Sequence, residues 1–126
     1  MPKSKRRKSL KKPRTRAFHN QSGLCYYCQQ PMWLTSPTEL TVNYGITHRR
    51  AMLLRCTGEH LIAHAEGGGS NSSNIVAACL YCNRQRHRRR GDLPPARFRD
   101  FVRKRMKQGR WHMFCPRHLE ASVSIP

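Results

Sequence analysis

The sequence predicts a small α+β domain that needs a source of stability besides its hydrophobic core. Only 37% of its 126 residues are hydrophobic, and a chain of this length with so few apolar residues buries a thin core. Two short apolar runs frame a glycine-rich segment, and a basic segment without Gly or Pro follows the second run. This order is typical of a β-hairpin that leads into a helix.

The charge of the chain indicates a polyanionic partner. It has 25 Lys and Arg residues against 6 Asp and Glu residues, a formal net charge of +19 at pH 7. Such a chain repels itself unless a polyanion neutralises it, so we expect nucleic acid, ahead of an anionic membrane surface or an acidic protein. The sequence has no signal-peptide pattern and no apolar run of membrane-spanning length. We therefore expect no membrane as partner. Four of the six cysteines form two Cys-x-x-Cys pairs, which suit a metal better than disulfides and favour an intracellular protein, cytoplasmic or nucleoid-associated.

Composition divides the chain into four parts. Residues 1–17 carry nine Lys and Arg residues and no acid, which predicts a disordered basic arm that contacts phosphate. Residues 18–92 are the main domain, and residues 93–110 are a basic amphipathic helix packed on it. Residues 111–126 are expected to be a C-terminal tail.

The predicted hairpin lies within the main domain. Residues 51–56 (AMLLRC) and residues 74–79 (NIVAAC) are its two apolar strands, and the long loop between them contains Gly67–Gly69. Residues 35–50, which precede the hairpin, are mixed and polar. They predict a loop or a short hairpin.

Two helices are predicted after the hairpin. Residues 83–90 (NRQRHRRR) begin with an effective N-cap residue and predict a short basic helix. Residues 96–108 place four apolar side chains at helical spacing, namely Phe98, Phe101, Val102 and Met106. We expect this apolar stripe to pack on the core, while the basic face of the same helix meets solvent or phosphate.

Two Cys-x-x-Cys pairs predict a structural metal site. The four cysteines are Cys25, Cys28, Cys79 and Cys82. A pair at this spacing turns both sulfurs toward one ion, and two pairs complete a tetrahedral zinc site that is closed to water and substrate. Four free buried thiols are the weaker interpretation, and a redox Cys-x-x-Cys needs a βαβ context that is missing.

The other two cysteines have less specific surroundings. Cys56 is expected to behave as a small buried apolar residue. Cys115 lies between His112 and His118, and these three residues are one ligand short of a tetrahedral second metal site.

The residues suited to catalysis lie after the first predicted strand and on the basic helix. Glu59 directly precedes His60, while Asn83 and His87 are four residues apart and share one helix face. If the hairpin packs on that face, Glu59, Asn83 and His87 bring together oxygen and nitrogen ligands that suit a hard or borderline divalent cation. Such an ion keeps positions for phosphate oxygens and water, and His60 beside it can take a proton from the attacking water.

With these residues the chain resembles the HNH (His-Me finger) endonuclease family. The fold of this family is a ββα-metal motif, often stapled by a zinc site of four cysteines. The resemblance extends from Gly23 to about Arg90. Its landmarks are the two cysteine pairs, Glu59-His60, Glu66-Gly-Gly-Gly69, Asn74-Ile-Val, and Cys79-Leu-Tyr-Cys-Asn83 with His87 behind it.

The resemblance implies a role for each matching position. His60 matches the general base that activates water, and Asn74 matches the residue that fixes the loop and orients this base. Asn83 stands at the position of the second His, a ligand of the catalytic ion, and His87 matches a trailing His that completes the metal site in some members. Glu59 stands where the family most often has a metal-binding Asp and is one methylene longer. The ion would be Mg²⁺ or another divalent ion such as Mn²⁺.

The sequence therefore predicts a small metal-dependent endonuclease that hydrolyses DNA phosphodiester bonds. Five arginines on the metal-bearing helix are expected to contact phosphates, namely Arg84, Arg86, Arg88, Arg89 and Arg90. Two alternatives stay open. One is a non-catalytic zinc-ribbon module that binds DNA or RNA, and the other is a nuclease subunit that acts only with a protein partner in a larger complex.

Overall fold

The computed structural model describes residues 9–62, 74–88 and 93–112. Within this part the chain forms a two-stranded antiparallel sheet and five helices. In chain order they are α1 (Lys11–Asn20), α2 (Thr38–Tyr44), α3 (His48–Met52), β1 (Cys56–His60), β2 (Ile75–Cys79), α4 (Leu80–Arg88) and α5 (Pro95–Lys107). The predicted small α+β class is confirmed, with a hairpin followed directly by a helix.

The two faces of the hairpin are covered by different helices. Side chains along a strand alternate between the faces of a sheet. Thr57 and Glu59 contact side chains of α4, whereas Gly58 lies against the start of α1. His60, two residues after Gly58, shares the α1 face. The sheet is therefore a thin layer between α4 and α1.

The first strand begins later than the sequence predicts. The strand predicted over residues 51–56 is wrong, because α3 runs to Met52 and β1 begins only at Cys56. Thr47 caps α3 by accepting a hydrogen bond from the Arg50 N–H at 3.2 Å. This cap carries helical backbone into the apolar run, which is buried as a helix end and a turn.

The loop or short hairpin predicted for residues 35–50 is also wrong. α2 lies in this segment and ends at Gly45, whose φ of 64° is the left-handed conformation that favours glycine. At its start, the Glu39 carboxylate accepts hydrogen bonds from the N–H groups of Leu34 and Thr35 at 3.4 and 3.3 Å. These contacts fix the direction in which the chain enters α2.

The disorder predicted for residues 1–17 is wrong from Lys11 onward, because α1 begins there and packs against both strands. Directly after α1, Gln21 acts in place of a neighbouring strand. Its Nε2 donates to the Ala77 carbonyl at 2.9 Å, and its Oε1 accepts from the Ala77 N–H at 2.8 Å. Packing on the sheet, which composition does not reveal, orders this basic helix. Residues 1–8 lie outside the described part.

α5 covers the core from the other end of the chain. As predicted, its apolar stripe faces inward, and Phe98 and Val102 are fully buried. The tail predicted for residues 111–126 is wrong at its start, because Trp111 and His112 are buried against the cysteine cluster. The rest of that predicted tail lies outside the described residues.

Candidate active site and metal centre

The four cysteines of the two pairs meet in one buried cluster. Their sulfur atoms all lie within 4.8 Å of one another. Cys79 ends β2 and Cys82 lies in the first turn of α4. A tetrahedral zinc ion with bonds of about 2.3 Å places its sulfur ligands about 3.8 Å apart, and the Sγ atoms of Cys28 and Cys79 are 3.9 Å apart. Cys25, Cys28, Cys79 and Cys82 thus fit the predicted zinc site.

Burial makes this cluster dependent on a positive charge. Burial raises the pKa of the Cys28, Cys79 and Cys82 thiols. Burial opposes ionisation of Cys25 as well, but hydrogen bonds from the three neighbouring thiols bring the pKa of Cys25 well below its usual value. A cation bound among the sulfurs would stabilise all four as thiolates, which is the chemistry of a structural zinc site.

The residues after α5 make hydrogen bonds to this cluster. The Trp111 Nε1–H donates to Cys82 Sγ at 3.2 Å, and His112 Nε2 lies 3.3 Å from Cys28 Sγ. Burial lowers the pKa of His112 to about 4, so its imidazole is neutral at pH 7. No spacing pattern around His112 indicates this contact, which sequence reasoning missed. Cys115 and His118 of the suggested second site lie outside the described residues.

Glu59 is a buried carboxylate on the α4 face of β1. Its side chain is only 3% exposed, and its Oε1 accepts a hydrogen bond from Arg86 Nη1 at 2.8 Å. The same oxygen lies 3.1 Å from His87 Nε2. The other oxygen, Oε2, is buried without a hydrogen-bond partner in the described part of the chain. One carboxylate oxygen of Glu59 is therefore available to a further ligand.

The electrostatics of Glu59 reflect a balance between burial and its partners. Burial raises the pKa of the Glu59 carboxyl, while the charges and hydrogen bonds of His87 and Arg86 act in the opposite direction. The net pKa lies above the usual value. A buried carboxylate in this state gains stability from any additional cation that reaches it.

Asn83 lies on the same side of the sheet as Glu59. It contacts Thr57, the residue of β1 next to Glu59 on this face. Its Nδ2 donates to Thr57 Oγ1 at 3.0 Å, and that hydroxyl donates to the Ala78 carbonyl at 2.7 Å. Because Nδ2 makes the bond to Thr57, the amide oxygen Oδ1 of Asn83 is not used in this contact. The structure thus brings Glu59, Asn83 and His87 to one face of the hairpin, as their spacing predicted.

His60 and Asn74 lie at the loop end of the hairpin. Because Glu59 and His60 are consecutive in β1, their side chains leave the sheet on opposite faces. Asn74 immediately precedes β2 and makes two hydrogen bonds to Ile62, as Oδ1 accepts from the Ile62 N–H at 2.8 Å and Nδ2 donates to its carbonyl at 3.1 Å. Asn74 therefore fixes the backbone two residues beyond His60.

Three of the five predicted phosphate-binding arginines lie in the described part of the chain. Arg84 and Arg88 are exposed on α4, whereas residues 89–90 lie outside the described part. Arg86 is buried and bonded to Glu59, so its assignment as a phosphate contact is wrong. Its position three residues after Asn83, on the same side of a helix, was the signal that could have placed it near the metal-binding face.

Comparison with protein families identifies the class of this protein. A family model for HNH endonuclease matches residues 25–89, which is just over half of the 126 residues. The chain belongs to the HNH endonuclease family. Searches of curated proteins and of solved structures find no significant match. Within the described residues, no helix is both long and apolar enough to cross a membrane.

Proposed function

We propose that this protein is an active endonuclease that hydrolyses DNA phosphodiester bonds with the help of a divalent ion. The observation that carries the proposal is the buried carboxylate of Glu59, which faces His87 and keeps Oε2 without a partner in the described residues. This acid lies at the end of a hairpin in a chain with a formal net charge of +19. The positive charge of the chain attracts a polyanion, and the Glu59 carboxylate attracts a cation.

Three side chains are proposed to hold the catalytic ion. Glu59 would contribute Oε2, and Asn83 would contribute Oδ1, because its Nδ2 donates to Thr57. His87 would contribute a ring nitrogen in place of its contact with Glu59. Two oxygens and one imidazole suit Mg²⁺ or Mn²⁺ better than a thiophilic ion. When bound, the ion would stabilise negative charge on the phosphate and on the leaving oxygen.

His60 is proposed to act as the general base rather than as a metal ligand. Its side chain leaves the strand on the face opposite to Glu59, so the two side chains do not point to the same ion. It would take a proton from the water whose oxygen attacks phosphorus, while the 3′ oxygen of the preceding nucleotide leaves. Membership of the family implies 5′-phosphate and 3′-hydroxyl products. Asn74 would keep His60 in place through its two hydrogen bonds to Ile62.

A plasmid assay tests whether His60 acts in catalysis. The parent chain and His60→Ala are incubated with supercoiled plasmid and Mg²⁺ or Mn²⁺, together with His48→Ala as a control for an exposed histidine on α3. We expect the parent and His48→Ala to nick the plasmid at similar rates, and His60→Ala to be at least about 100-fold slower. Equal rates for the parent and His60→Ala would refute the proposed base.

The two proposed metals can be separated by a second measurement. A mild chelator is added until cleavage stops, and zinc that stays bound to the protein is quantified by atomic absorption. We expect cleavage to stop while zinc is retained, and to return when Mg²⁺ or Mn²⁺ is added. Loss of activity only in parallel with zinc would contradict a separate catalytic ion.

A non-catalytic nucleic-acid-binding module is the second candidate. It is favoured by the bond between Arg86 and Glu59, because an acid already paired with a buried arginine can be purely structural. This candidate predicts that DNA binds but is not nicked with any divalent ion. It also predicts that His60→Ala binds DNA as the parent does.

A further inference from the structure

A basic groove lies on the other side of the hairpin from Glu59. The first turn of α1 and the outer edge of β1 enclose a groove of about 450 Å³. Three cationic side chains line it, namely Lys11, Arg14 and Arg55, and no acidic residue is among its lining residues. A groove with this charge is suited to an anion and not to an apolar ligand.

The cations of this groove have no acidic partner among the described residues. Both ion pairs among the described residues involve Glu59, which lies on the other face of the sheet. Arg14 is the most informative of the three, because its Nε is buried without a hydrogen-bond partner in the described part of the chain. A buried guanidinium N–H without an acceptor costs free energy, and an anion in the groove would relieve this cost.

The backbone of β1 adds a further donor to the groove. Backbone N–H groups alternate between the two edges of a strand. The Cys56 N–H points away from β2, since it donates to the Trp33 carbonyl at 2.9 Å. Gly58, two residues later, has the same orientation and lines the groove. With no side chain at Gly58, a ligand can approach this N–H closely.

The groove lies beside the proposed cleavage site along β1. Gly58 directly precedes Glu59 and lies two residues before His60. Because a strand rises about 3.3 Å per residue, an anion held at Gly58 lies roughly 7 Å along the strand from His60. A second phosphate of the same backbone can occupy that position while its neighbour is at the cleavage site.

We infer that this groove binds a phosphate of the nucleic-acid backbone next to the bond that is cut. The position of the groove relative to the cut bond rests on the proposed function, whereas phosphate binding by the groove does not. From Lys11 onward the disordered arm expected from the sequence is an ordered helix, and α1 presents Lys11 and Arg14 beside Gly58 and Arg55. Guanidinium groups and backbone N–H groups are the donors that position a phosphate backbone.

Binding measurements without added divalent ion test this inference separately from catalysis. Fluorescence anisotropy of a labelled DNA duplex is measured over a series of salt concentrations for the parent, Lys11→Gln/Arg55→Gln and Arg14→Gln. The matched control is Arg49→Gln/Arg110→Gln, which removes two charges from exposed positions outside the groove. Circular dichroism shows that each variant is folded.

We expect the groove variants to weaken binding and to lower the slope of log K against log salt by about 0.9 for each phosphate that the variant no longer neutralises. The control pair is expected to leave the slope within error of the parent. Because Lys11 and Arg55 are exposed, their double variant remains a test even if Arg14→Gln fails to fold. Equal slopes for the groove and control variants would overturn the inference, and so would groove variants that bind as the parent does.

A neutral linkage in the DNA locates the bound phosphate. A single methylphosphonate replaces the phosphate next to the cut site, and its effect on affinity is compared in the parent and in Arg14→Gln. We expect the substitution to weaken the parent several-fold and to have little further effect on Arg14→Gln, since both changes remove the same interaction. Independent effects in the two proteins would contradict a phosphate at Arg14. If the plasmid assay shows no cleavage, the salt slopes still decide whether the groove binds DNA.

Discussion

The buried ion pair between Arg86 and Glu59 leads to a testable consequence for stability. The Arg86 Nη1 lies 2.8 Å from Glu59 Oε1, and the two side chains are only 10% and 3% exposed. Arg86→Met removes the charge while keeping much of the side-chain volume. Removal of one partner from a buried ion pair typically costs about 3–5 kcal/mol, because the other charge is left without compensation.

Protonation of Glu59 limits this cost and makes it depend on pH. Protonating a carboxyl with an ordinary pKa near 4.3 costs about 3.7 kcal/mol at pH 7, or roughly 1.4 kcal/mol per pH unit. Burial already raises the pKa of Glu59, and loss of Arg86 raises it further. A carboxyl with a raised folded-state pKa costs no stability below its unfolded pKa, and the cost grows as pH rises toward the folded value. Because the parent already bears part of this cost, we expect Arg86→Met to lose less than the limit of about 3.7 kcal/mol at pH 7, and still less at pH 6.

The assay is urea denaturation of zinc-loaded protein at fixed free zinc and at several pH values. Arg84→Met, an exposed arginine on the same helix, is the control and should change stability by no more than about 0.5 kcal/mol. Glu59→Gln is then combined with Arg86→Met. We expect the double variant to be more stable at pH 7 than Arg86→Met alone, because no uncompensated carboxylate remains.

Two results would refute this account of the pair. One is a stability loss in Arg86→Met that is the same at pH 6 and pH 8. The other is a double variant that loses the sum of the two single effects, which would mean that Arg86 contributes by packing or by its Nε–H bond to the Leu93 carbonyl, and not by its pairing with Glu59.

Three further predictions concern the supports of the site. Trp111→Phe removes the N–H that donates to Cys82 Sγ and should weaken zinc binding about 10–100-fold in a chelator competition; unchanged affinity would contradict a role for this bond. A Cβ at Gly58 would lie 3.3 Å from Leu10 Cβ, so Gly58→Ala should cost about 1–3 kcal/mol in urea denaturation, and less in a Leu10→Ala background. Asn74→Ala removes two hydrogen bonds to Ile62, so it should lower the free energy of unfolding by about 1–3 kcal/mol and slow plasmid cleavage. Normal cleavage by this variant would argue against a positioning role for Asn74.

Patterns that depend on local spacing predicted the fold well. The two cysteine pairs predicted the buried cluster, and the β-branched run before Cys79 predicted β2 within one residue. The helical spacing of Asn83 and His87 placed both on the face that contacts β1. Within each cysteine pair, within β2 and within α4 the residues that carry the signal lie close together in sequence, so the local geometry of the backbone decides the outcome.

Features that depend on distant contacts were predicted poorly. The order of α1 comes from packing on the sheet and from the bonds between Gln21 and Ala77, which are 56 positions apart. The burial of Arg86 comes from Glu59, 27 positions away. From composition alone, such basic residues are predicted to face solvent or phosphate. Composition does not reveal the distant residue that neutralises or covers them.

The four-cysteine cluster and the proposed catalytic site are connected through α4. Cys82 lies in the first turn of this helix and is followed directly by Asn83, while His87 lies about one turn further on. The cluster therefore sets the axial position and rotation of the helix that carries two of the three proposed ligands. Since a misplacement of about 1 Å can reduce a rate by roughly 100-fold, zinc would be required for cleavage although it takes no part in the chemistry. The bonds from Trp111 and His112 to the cysteine sulfurs extend this dependence to the end of α5.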